Sequence, residues 1–159
     1  MFDSIRSFMA ELAGAGDEFG SRFAASDPRV ATAALLVHLI DVDGVAEPHE
    51  RERLHDILKS RFGLSDAETD ELIALARRRD EESVDLYAFT SVLKRALDGP
   101  GRAGVVEMMW ELVFADGAVH ELEDNVVWRV AELLGVSTRE RVDLKRRIAA
   151  RARPLSDDS

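Results

Sequence analysis

Two stretches of the chain carry the residues best suited to chemistry. Residues 41–50 read DVDGVAEPHE and residues 115–124 read ADGAVHELED, and in each an Asp-Gly pair precedes a Glu seven residues beyond the Asp. The pairs are Asp43 with Glu50 and Asp116 with Glu123. The glycines and glutamates have a structural explanation: Gly ends a helix at positive φ, and a first-turn carboxylate suits the positive helix N-terminus. The aspartates do not. Asp41, Asp43 and Asp116 fall at or beside predicted helix C-termini, where a negative charge is disfavoured by about 0.3–1 kcal/mol. Carboxylates gathered at helix ends call for a counter-charge. A hard divalent cation supplies one, and it also accepts the freed carbonyl oxygens of a helix C-terminus.

The spacing invites comparison with the EF-hand loop, in which Asp43, Gly44 and Glu50 would take positions 5, 6 and 12. Position 1 would then be Leu39 in the first copy and Leu112 in the second, and position 3 would be Asp41 and Phe114. Neither copy is a working EF-hand. The expected metal site is therefore composite, formed by Asp43, Glu50, Asp116 and Glu123. All-carboxylate ligation favours Ca²⁺, with Mg²⁺ or Mn²⁺ as alternatives, over zinc or copper.

The elements that must position these residues are helical. Leu, Ala, Glu and Arg dominate, and β-branched runs and Asn-Gly hairpin signals are missing. Phe2, Ile5, Phe8, Met9 and Leu12 form one stripe of a predicted first helix, more suited to the protein's own core than to a membrane or partner. Asp27-Pro28 starts a helix that is apolar almost all round through Val42, and Glu47-Pro48 starts the next. Ser65 and Glu68 make a capping box, and Asp85 is a further predicted cap. DGPGR at 98–102 reads as a sharp break and a hinge between halves.

The architecture then recurs. VVEMMWELVFADG is a second strongly apolar helix ending in Asp-Gly, and HELEDNVVWRVAELLGVS is a second amphipathic one. Leu39, Asp43, Gly44 and Glu50 map onto Leu112, Asp116, Gly117 and Glu123 at an offset of 73; Gly63, Ser65 and Glu68 map onto Gly135, Ser137 and Glu140 at 72. The predicted fold class is all-α: a compact bundle of seven to eight helices built from two pseudo-symmetric repeats. One domain is expected over 1–159. Residues 1–26 are its N-terminal helix and linker, 27–98 and 102–153 its repeat halves, and 154–159 a disordered tail.

These motifs resemble the TerB (tellurite-resistance protein B) family. LIDVDGVAEPHERERL and LVFADGAVHELEDNVV carry the likeness, which spans roughly Asp27 to Arg153. The resemblance implies a compact helical fold with internal pseudo-twofold symmetry. It also implies a divalent-metal site drawn from Asp43, Glu50, Asp116 and Glu123, with Asp41 at best auxiliary because Phe114 takes its place in the second copy. Links to tellurite and stress resistance, and fusion of similar domains to chaperone-type modules, come with the family.

Charge and composition bound the alternatives. With 31 acidic and 21 basic side chains the net charge is −10, a field that repels nucleic acid. The one basic cluster, LKRRIAARAR at 144–153, suits the end of a last helix. Without cysteine there is no disulfide or thiolate site, which fits a cytoplasmic protein. No apolar run is long enough to cross a bilayer, which leaves peripheral membrane association open.

Glu52 and His55 match one Glu-x-x-His element of a di-iron bundle, but Asn125 and Trp128 stand where a second is needed. His38 is expected as a satisfied core histidine; His49 and His120 as surface residues; Met108, Met109, Trp110 and Trp128 as packing. The leading reading is a non-enzymatic cation-binding module in stress or tellurite resistance, with a protein partner reading the loaded state. A metal-free docking module is the alternative. A metal-dependent hydrolase ranks last, for want of a nucleophile or base.

Overall fold

The computed structural model describes residues 23–24, 27–41, 48–83, 85–114 and 121–152. Among the described residues there are seven helices and no strand: α1 (Pro28–Asp41), α2 (Pro48–Phe62), α3 (Asp66–Glu82), α4 (Tyr87–Ala96), α5 (Gly99–Val113), α6 (Glu121–Leu134) and α7 (Thr138–Ala152). The all-helical class read from the sequence is what the chain adopts. The stripe predicted over residues 2–13 and the tail at 154–159 lie outside the described residues.

Two helices form the centre. In α1, Asp27 accepts a hydrogen bond from the Arg29 backbone N–H at 2.8 Å and pairs with the Arg29 guanidinium at 2.9 Å, while Pro28 takes the first helical position. Ten of the fourteen α1 residues are buried, from Val30 to Ile40. Such burial on every side is the consequence of a sequence apolar all round. Helix α1 packs on α2, α3, α4, α5 and α6; α5, which buries Trp110, Met109 and Leu112 among others, packs on α1, α2, α6 and α7. The buried hydroxyls are satisfied locally: Thr32, Thr69 and Thr90 each donate to the carbonyl four residues back.

The same device ends α2 and α6. Gly63 and Gly135 adopt φ of 62° and 79°, and the next residue's N–H reaches back five residues, Leu64 to Lys59 and Val136 to Ala131. After each turn a serine caps the following helix. Ser65 and Glu68 form both halves of a capping box at α3, and Ser137 Oγ accepts from the Glu140 N–H at 3.1 Å at α7.

Three local expectations are corrected. DGPGR is no hinge loop: Asp98 caps α5 by accepting from the Gly101 N–H at 2.9 Å, Gly99 and Pro100 lie in its first turn, and the gap after α4 narrows to Leu97 and Asp98. Pro and Gly are tolerated there because first-turn N–H groups have no intrahelical partner. Asp85 does bond the start of α4, accepting from the Tyr87 N–H, but the cap position belongs to Leu86. His38 is not core, since its side chain is 38% exposed and its Nδ1 lies 3.1 Å from Asp80 Oδ1.

Candidate functional site

The acidic motifs sit where the central helices end and their successors begin. Helix α1 ends at Asp41 and α2 begins at Pro48; α5 ends at Val113 and α6 begins at Glu121. Glu50 is the third residue of α2 and Glu123 the third of α6. Both are buried, 7% and 4% exposed. Their dipole-favoured position does not require this. Glu140, in the first turn of α7, and Glu121, in that of α6, satisfy the same rule while exposed.

Asp43 and Asp116, with Gly44 and Gly117, lie outside the described residues, as does His120. Of the four expected ligands, then, Glu50 and Glu123 have a defined place. Each projects from a helix that packs on both α1 and α5. A buried carboxylate is costly without partners, and both glutamates have them. Their oxygen chemistry and burial fit a hard cation. Among the described residues no group of three or more His, Cys, Asp or Glu is arranged to hold a metal.

Asp41 is exposed at the last position of α1, and Arg77 of α3 lies 3.4 Å from it. That cation offsets the unfavourable placement of an acid at a helix C-terminus. Glu52 is exposed and His55 pairs with Asp70 at 3.2 Å, which removes the di-iron element from the interior. Met108, Met109 and Trp110 are core, and Trp128 packs beneath the Arg141 guanidinium at 3.8 Å.

One feature has no counterpart in the sequence reading. Arg51, Leu54 and His55 of α2 face Asp70, Ile73 and Arg77 of α3 across a cavity of about 430 Å³. Its signal was present as helical spacing on two segments, but nothing in one chain's spacing gives the register between two helices.

A family model described as tellurite resistance protein TerB matches residues 29–146. The chain belongs to the TerB family. The match covers both acidic motifs and all of α2 to α6, confirming the family read from those motifs. No curated protein and no solved structure matches the chain. Among the described residues no helix of this TerB-family chain is long and apolar enough to cross a membrane.

Proposed function

We propose that this TerB-family chain is a non-enzymatic, divalent-cation-binding helical module acting in tellurite or stress resistance. Asp43, Glu50, Asp116 and Glu123 form one composite site, and the ion, Ca²⁺ first, ties two pseudo-symmetric repeats together for a protein partner to read. The observation that carries this reading is the burial of Glu50 and Glu123 at matched positions of α2 and α6. The helix dipole alone does not call for such burial, since an exposed first-turn carboxylate serves it equally well. A cation would add to the partners both glutamates have, taking carboxylate oxygens in a setting shielded from water.

The second reading is a metal-free docking module. It draws on the net charge of −10 and on Leu122, 52% exposed beside Glu123.

Thermal melts with Ca²⁺, Mg²⁺, Mn²⁺ or EDTA separate the two, using wild type, Asp43→Asn/Asp116→Asn and Glu50→Gln/Glu123→Gln. An ion at ~100 times its dissociation constant adds about 2.7 kcal/mol, which for a chain of this size is several degrees. The expected result is a rise for one ion in wild type and none in either double variant. If every ion and EDTA leave the wild-type midpoint unchanged, the metal reading fails and docking takes its place.

A further inference from the structure

Two polar contacts cross the hairpin of α2 and α3 like rungs, one an ion pair and one from a histidine to a carboxylate. Lys59 Nζ lies 2.8 Å from Asp66 Oδ1, and one turn further from the hairpin bend His55 Nε2 lies 3.2 Å from Asp70 Oδ1. The register is antiparallel, four residues back on α2 for four forward on α3. Continued by one more turn, that register pairs Arg51 with position 74, an exposed alanine, and the residues found with Arg51 around the cavity there are Ile73 and Arg77. The third rung has its base and lacks its acid.

The cavity of about 430 Å³ opens at this rung. Leu54, 1% exposed, and the half-buried Ile73 give it an apolar wall. Arg51 is exposed and has no carboxylate partner among the described residues; Arg77 reaches Asp41 only at 3.4 Å. The one carboxylate of the lining, Asp70, is held by His55. In a molecule of net charge −10, two guanidiniums thus flank this cleft beside the exposed Asp70, Arg77 already bonded to Asp41 and Arg51 without such a partner among the described residues.

We propose that this cleft binds an organic anion, a carboxylate or phosphate monoester on a small apolar body, whose charged group supplies the missing rung between Arg51 and Arg77. Guanidinium forks grip both kinds of oxyanion by paired N–H donors. The apolar body covers Leu54 and Ile73, the usual division of labour in a small-molecule cleft. The inference is independent of the cation site.

The test is an NMR titration of the full chain, methyl-labelled at Ile and Leu, with phenyl phosphate, 3-phenylpropionate and, as neutral control, benzyl alcohol. Saturable shifts at Ile73 and Leu54 are expected for at least one anion, and which one responds identifies the head group. Charge-assisted hydrogen bonds of this kind correspond to about tenfold in affinity, so Arg51→Gln and Arg77→Gln should each weaken binding by about that factor. Arg51→Lys, which keeps charge but loses the fork, should fall between. The proposal is overturned if neither anion saturates these methyls, if benzyl alcohol binds as well, or if Arg51→Gln binds like wild type. Arg51 is exposed, so its variant decides the matter even if Arg77→Gln fails to fold.

Discussion

His38 is the one position between Val30 and Ile40 of α1 that is not buried, and what it does there depends on a residue 42 positions away. The hydrogen bond to Asp80 raises its pKa above the ordinary 6.5; burial works against this, and the charges of Asp80 and Asp41 add to it. Arg77, which pairs with Asp41, puts a cation near that end of the helix. A histidine whose folded-state pKa exceeds its unfolded value contributes stability that is complete below about pH 6.5 and is lost as pH rises through the folded value. Urea denaturation at pH 5.5 and 8.5 should therefore show wild type losing a component of stability that His38→Gln lacks. An identical pH dependence in the two proteins would remove the pair from the stability account. The apolar run around His38 predicts a satisfied core histidine; Asp80 satisfies it, but the side chain is 38% exposed, because an apolar neighbourhood along the chain does not reveal which side another helix leaves open.

At the scale of elements, the turns after α2 and α6 were the most legible feature. Gly63-Leu64-Ser65 and Gly135-Val136-Ser137 recur in sequence and adopt the same helix-ending bonds. An alanine Cβ at Gly135 would meet nothing within 4 Å, so the requirement there is backbone conformation alone. Gly135→Ala should cost about 1–2 kcal/mol, the left-handed penalty of an L-residue, and Gly135→Asn less. Equilibrium unfolding measures both, and an alanine variant as stable as wild type would contradict the φ of 79°. DGPGR reads as a break in sequence yet opens α5, because Gly and Pro are breakers only inside a helix. In a first turn they break nothing, and Asp98, three residues before Gly101, is the cap.

For the whole molecule, the consequence of a central α1 is that its side chains have no solvent-facing escape. Leu35 is fully buried, and α1 packs on five other helices. Leu35→Ala should cost about 2–5 kcal/mol, a large fraction of the roughly 5–15 kcal/mol that holds a domain folded. A loss below ~1 kcal/mol in urea denaturation would mean the site collapses around the missing methyls, and that α1 is less tightly enclosed than its burial indicates.

By itself the sequence determined the helical class, the family and the pair of acidic motifs. Each is written in local terms: periodicity, capping residues and an Asp-to-Glu spacing within one stretch of chain. The burial of Glu50 and Glu123 was not legible, because a first-turn glutamate looks the same in sequence whether a neighbouring helix covers it or not. Nor was the cleft of Arg51 and Arg77, whose two sides lie on different helices. Helix spacing fixes which residues share a face. Only packing decides which faces meet, and so which charges are paired across them.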